Sequence, residues 1–135
     1  MQIVAPIDIE AAVAAELGAV MEDKAVTAWP PPDRFGAGTV CIMSLGGFEQ
    51  TPVSDGYDIV AYAYEATYSE AYKTAFEACA IIRALRFNAS ASGHTFSTSE
   101  ARPPYEDPDP DRQTLKRCTV RATVSVRGAG IIDHQ

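Results

Sequence analysis

Histidine and paired cysteine are what this chain most conspicuously lacks. It has two histidines, His94 and His134, and three cysteines, Cys41, Cys79 and Cys118. The cysteines are widely spaced and form neither a CxxC pair nor a metal knuckle. Each lies inside an apolar pattern, as a buried free thiol does, and this suits a reducing compartment. A catalytic thiol needs an imidazole close by; here one histidine falls in an expected loop and the other in the tail. Cations are also scarce, with 11 Lys and Arg against 18 Asp and Glu and a net charge of −7. Apart from the pairs Arg83 with Arg86 and Lys116 with Arg117 they are scattered, which argues against nucleic acid and against an anionic membrane surface as partners. The acidity itself reads as solubility. No apolar run approaches the roughly 20 residues that span a bilayer. Met1 to Pro6 has no basic region and no long apolar run, so no secretory signal is predicted. Glycines at 36, 38, 46 and 47 form neither GxxxxGK[ST] nor GxGxxG, and no GxSxG is present. No catalytic residue, cofactor or metal site is expected.

What is present is an ordinary globular composition, 47% hydrophobic and 21% charged over 135 residues, enough for one domain with its own core. Asp8 is placed to cap a helix over Ile9 to Met21, with Ile9, Val13, Leu17, Val20 and Met21 on one face. A short apolar piece, Ala25 to Trp29, stops at Pro30, Pro31 and Pro32. Thr39 to Leu45 reads as a strand ended by Gly46-Gly47, and Pro52 to Gly56 as a loop. Tyr57 to Thr67 reads as a second strand, with Ile59, Ala61 and Ala63 on one side and Val60, Tyr62 and Tyr64 on the other. Thr67-Tyr68-Ser69-Glu70 matches a capping box. The helix behind it, about Ser69 to Phe87, packs through Ala71, Ala75, Ala78, Ile82 and Leu85. Asn88 to Gly93 is a loop and Thr95 to Ala101 an irregular edge strand. Leu115 to Arg127 is the last strand, with Cys118, Val120, Ala122, Val124 and Val126 facing the core.

Between these two strands lies RPPYEDPDPDR, Arg102 to Arg112, with four prolines and four carboxylates. Proline at that density excludes helix and sheet ladder, so a protruding loop is expected. Its acids, Glu106, Asp107, Asp109 and Asp111, resemble a calcium loop only superficially, because Arg112 stands where a Gly is required and Pro108 and Pro110 stiffen the rest. A rigid, solvated loop is the preferred reading, with a divalent ion shared between subunits as the alternative. The whole predicts an α+β fold: a mainly antiparallel sheet of about four strands with two helices on one face, a single domain over residues 1–128 and a flexible C-terminal tail over 129–135. Val60, Tyr62 and Tyr64 then lie on the face away from the helices. The tyrosines read equally as core and strand packing or as a contact face, and a stripe left exposed there points to oligomerisation.

The order of these pieces resembles the tail-terminator and tail-completion proteins of long-tailed bacteriophages. The resemblance rests on DIEAAVAAEL (Asp8 to Leu17), AVTAWPPP (Ala25 to Pro32), TVCIMSLGG (Thr39 to Gly47), the strand-to-helix passage Tyr57 to Leu85, the loop EDPDPDR (Glu106 to Arg112) and the strand RCTVRATVSVRG (Arg117 to Gly128). It covers about residues 7 to 128. The Ser- and Ala-rich loop from Asn88 and the additional Pro31 and Pro32 depart from the pattern. The resemblance implies a non-enzymatic virion protein, assembled in the bacterial host cytoplasm, forming a hexameric ring between the tail tube protein and the head connector. Such a ring needs two different sticky faces per subunit. Val60, Tyr62 and Tyr64 would supply one, and Arg102, Tyr105, Asp107, Asp109, Asp111 and Arg112 would contribute to the other. A neck or head-completion ring is the nearest alternative. A small ligand-binding domain or enzyme built on His94, Glu65 and Arg83 is the alternative from another class.

Overall fold

In a computed structural model, which describes residues 2–88 and 91–133, the elements run β1 (Gln2–Ala5), α1 (Ile9–Val20), β2 (Ala25–Ala28), β3 (Thr39–Thr51), β4 (Ser54–Glu65), α2 (Tyr68–Asn88), β5 (Phe96–Ala101), β6 (Tyr105–Glu106), β7 (Lys116–Arg127) and β8 (Ala129–Asp133). The main sheet has the order β2-β3-β4-β7-β5, with β6 also paired to β7. It is a mixed, six-stranded sheet, larger than the four antiparallel strands expected. The parallel member is β2, whose Ala25 to Ala28 lie beside Thr39 to Ile42. The prolines after Trp29 explain this: they prevent a tight hairpin, so the chain crosses over and re-enters in the same direction.

Alternation along β4 and β7 sets the layers. These strands pair antiparallel over their whole length, from Ser54 opposite Arg127 to Glu65 opposite Lys116. Ile59, Ala61, Ala63, Cys118, Val120 and Val124 face the helices and are 0–1% exposed. Alanine at 61 and 63 lets α2 approach the sheet, and α2 answers with Ala71, Ala75 and Ala78, all at 0%. The expected caps form at both helix starts. Ala11 N–H donates to Asp8 Oδ1 (3.1 Å), Glu70 N–H donates to Thr67 Oγ1 (3.2 Å) and the Thr67 hydroxyl returns to Glu70 Oε1. Buried Glu16 on α1 accepts from the backbone N–H groups of Ala91 and Ser92 and so ties down the chain after α2.

Four sequence expectations are corrected. Gly46-Gly47 does not end β3. The register shifts between Ser44 and Gly46, Gly46 takes φ +115°, and Glu10 of α1 accepts the Ser44 N–H at 2.7 Å. The glycines absorb a bulge, and at Gly47 a Cβ would stand 2.4 Å from the Gly56 carbonyl oxygen. The expected Pro52–Gly56 loop shrinks accordingly to a turn at Pro52 and Val53, and β3 and β4 form one long hairpin. Val20 is 59% exposed, because the buried side of α1 follows Ile9, Val13, Leu17 and Met21 at steps of four. The tail expected to be flexible, 129–135, instead pairs as β8 with β1 from Ala129 to Asp133; Gln135 and its neighbour 134 lie outside the described residues. Among those residues, no helix is long and apolar enough to cross a membrane.

Ile82 is fully buried at the centre of α2. Ile82→Ala should cost about 2–5 kcal/mol in urea unfolding, whereas Phe87→Ala, at a site 73% exposed, should stay within about 0.5 kcal/mol of the parent. The reverse ranking would mean that the helix packs in another phase.

Candidate functional site

The sheet face turned away from the helices carries Tyr62 and Tyr64 from β4 and Arg117 and Thr119 from β7, with Tyr62 opposite Thr119 and Tyr64 opposite Arg117. It is not left open. Two proline-containing segments fold over it, residues 29–35 from one side and 107–112 from the other. The Trp29 ring lies 6.0 Å from Tyr62, and Phe35 meets Tyr64 edge-on at 4.8 Å. Arg112 stacks over Phe35 at 4.9 Å and Arg117 over Tyr62 at 4.5 Å. Tyr64 is consequently 0% exposed and Val60 3%.

Asp109 is the centre of this layer. It is buried and surrounded by donors: the Tyr64 hydroxyl at 3.0 Å, the Asp111 N–H at 3.0 Å, Arg112 Nη1 at 3.3 Å and Arg117 Nη1 at 3.6 Å. Burial alone would raise its pKa. The Asp111 N–H, the Tyr64 hydroxyl and the two guanidinium groups outweigh that and hold it below the usual carboxylate value. Arg117 is shared: its Nη2 is 3.2 Å from the Asp107 carboxylate, and its Nε donates to the Asp107 carbonyl at 2.7 Å. Asp107 also accepts from the Thr119 hydroxyl at 2.8 Å. Tyr64 is shifted upward, first by burial and then by Asp109 against the opposing Arg117. These contacts fix geometry, because they hold β4, β7 and residues 107–112 together.

The site residues inferred from sequence therefore divide. Tyr62, Tyr64, Asp107, Asp109 and Arg112 come together, but within one chain, and Val60 lies sealed beside them. In the Val60–Tyr62–Tyr64 stripe Val60 and Tyr64 are buried and Tyr62 is half-buried, with Trp29 and Phe35 lying against the two tyrosines. The Arg102–Arg112 loop does not protrude. Arg102 N–H donates to Arg121 O and Asp107 N–H to Arg117 O, so the segment lies along the β7 edge, where Tyr105 and Glu106 form β6. Proline at 103, 104, 108 and 110 is tolerated because this is an edge and the prolines fall between the paired positions. Arg102, Tyr105 and Asp111 stay exposed, and the Tyr105 hydroxyl accepts from Arg121 Nε at 3.2 Å. Trp29, Phe35, Arg117 and Thr119 were missed. For the last two the signal existed, since β7 alternation puts them on the side of the tyrosines; for Trp29 and Phe35, in an irregular segment, no periodicity does so.

Beside this layer the outer face forms an open groove of about 480 Å³, with Leu45, Asp58, Arg102, Arg121 and Thr123 among its walls. The three residues weighed for an enzyme are each engaged separately. Glu65 accepts from the Thr74 hydroxyl and pairs with Lys24 Nζ at 3.1 Å; that contact is the largest cause of a raised Lys24 pKa. Arg83 Nε donates to Ala101 O, and His94 N–H to Ser92 Oγ. All three cysteines are buried and free, and burial pushes the Cys41 and Cys118 thiols up to about 11, which suppresses the reactive thiolate. Among the described residues no group of three or more His, Cys, Asp or Glu could hold a metal ion. No known protein-family model matches the chain, and no curated protein matches it in sequence.

Asp109→Asn should destabilise the fold by about 3 kcal/mol, since it removes the charge that several donors surround. Asp111→Asn, at an exposed position, should stay within about 0.5 kcal/mol. The sign with pH follows from the depressed folded pKa. Stability from Asp109 is fully present above the ordinary carboxylate value of the unfolded chain and is lost as pH falls through the lower folded pKa. Urea midpoints below pH 4 should accordingly fall more steeply for the parent than for Asp109→Asn; parallel curves would contradict the pairing.

Proposed function

We propose that this protein is a structural subunit of a long-tailed bacteriophage virion, part of a ring that caps the tail tube and joins it to the head connector. One observation carries the reading alongside the sequence resemblance: the folded domain leaves two separate apolar surfaces uncovered. One is the β3–β4 hairpin, where Leu45, Phe48 and Val53 are 40–54% exposed. The other is the outward side of the helices, where Val20, Phe76 and Phe87 are 57–73% exposed. A head-to-tail ring requires two unlike adhesive surfaces on each subunit, and a closed ring buries both on every copy. Six copies is the number that the resemblance implies. The partners are then further copies of the chain, the tail tube protein and the head connector or neck protein, and the site of action is the virion tail after assembly in the host cytoplasm.

Static light scattering across a concentration series, with co-sedimentation on tail tubes, tests this. The expected results are a mass that rises to a fixed multiple of the monomer and protein that pellets with the tubes. A protein that stays monomeric throughout and leaves the tubes unbound would contradict the reading.

A further inference from the structure

The two segments that fold over the outer face of the sheet touch each other as well as the sheet. Phe35, in residues 29–35, meets Tyr64 edge-on, and Arg112, in residues 107–112, lies over the same Phe35 ring. Arg112 also pairs with Asp109, and Asp109 with Arg117 of β7. Arg117 lies over Tyr62 of β4, and Tyr62 faces Trp29. The contacts therefore run in a closed circuit, from Trp29 through the sheet to Asp109 and by way of Arg112 back to Phe35. They join the two segments twice, once through the sheet and once directly.

The backbone contributes little to holding either segment down. Positions 30, 31, 32, 108 and 110 are prolines and have no N–H to give. Among the described residues, Trp29 N–H bonds to Ile42 O, and the next backbone bond from this stretch to the sheet is Gly38 N–H to Tyr64 O. In the second segment Asp107 N–H reaches Arg117 O, but the bonds that follow, Arg112 N–H to Asp109 O and Leu115 N–H to Arg112 O, stay local. The Asp109 carboxylate supplies the attachment beyond Asp107, to Tyr64 and to Arg117. Beneath the segments β4 and β7 are paired along their whole length. A region with few backbone bonds of its own opens at a lower free energy than a paired core.

We infer that residues 29–35 and 107–112 form a single latch: the two segments open together, ahead of the sheet and helices, and neither stays closed without the other. Asp109 is its key. Without that charge Arg112 loses the partner that holds it over Phe35, and Arg117 loses one of the two carboxylates that hold it over Tyr62. Opening uncovers Tyr62 and Tyr64 on a sheet that remains folded, so the latch governs access to the tyrosine face. It is complete within one copy, whatever the copies assemble into.

Trp29 is the only tryptophan in the chain and belongs to the first segment, so its fluorescence reports the latch, while far-UV circular dichroism reports the helices. Asp109 lies in the second segment, yet Asp109→Asn should shift Trp29 emission to the red in native buffer with the helical signal retained. In the reciprocal experiment, Phe35→Ala should speed hydrogen exchange at the Asp111 N–H, which donates to Asp109, at least roughly tenfold. Exchange at Val120, paired within β7, should stay at the parent rate. Ile82→Ala weakens the core behind the sheet and should change neither Trp29 emission nor Asp111 exchange. In the parent, rising urea should move Trp29 emission before it removes the helical signal. An unshifted Trp29 or a lost helical signal in Asp109→Asn would overturn the latch. So would Asp111 exchange that is unchanged or that rises together with Val120, an Ile82→Ala variant that reproduces either effect, or coincident urea curves.

Discussion

Everything on the outer face of this sheet depends on keeping the Asp109 carboxylate satisfied. A buried charge without partners costs several kcal/mol, and here it is met by a tyrosine hydroxyl from β4, an arginine from β7, an arginine from its own loop and a backbone N–H. These groups come from three separate stretches of chain, so the carboxylate can be satisfied only when the strands are in register and the proline-containing segment lies along β7. Arg117 extends the constraint, because its guanidinium is shared between Asp107, Asp109 and the tyrosine rings. The layer is polar and aromatic where the helix side of the sheet is aliphatic, and its directional contacts favour a single arrangement of loops over the sheet.

That constraint decides which surfaces are left for assembly. Tyr64 and Val60 are buried within the chain itself and Tyr62 is half-buried. The apolar surface that remains is carried by the hairpin, past the bulge at Gly46, and by the outward side of the two helices. The Asp109 layer and these exposed apolar residues coexist in one small domain. Rigidity matters for a ring subunit, since a fixed angle between two contacts determines whether the ring closes.

The aliphatic half of the fold was legible in the sequence because it is periodic. Steps of three and four from Ala71 to Leu85 placed α2 correctly, and alternation from Cys118 to Val126 placed β7; both caps followed from Asp8 and Thr67. Legibility stopped where tertiary context overrides local preference. Gly46-Gly47 reads as a break, yet a bulge with its freed N–H taken by Glu10 carries the strand through. Four prolines between Arg102 and Arg112 read as exclusion from a sheet, yet an edge with intervening pairs accepts them. Tyr62, Tyr64, Asp107, Asp109 and Arg112 read as an interface, and within the chain they converge on one another. No local pattern reveals that residues 29–35 and 107–112 fold onto the same face, because their contacts with Tyr62 and Tyr64 span long stretches of sequence.

The proposed function requires copies of this domain to close into a ring. Negative-stain electron microscopy of the purified protein at high concentration tests it most directly. The account predicts closed rings of uniform diameter with a fixed number of subunits. Open filaments of indefinite length, or a field of single domains, would contradict it.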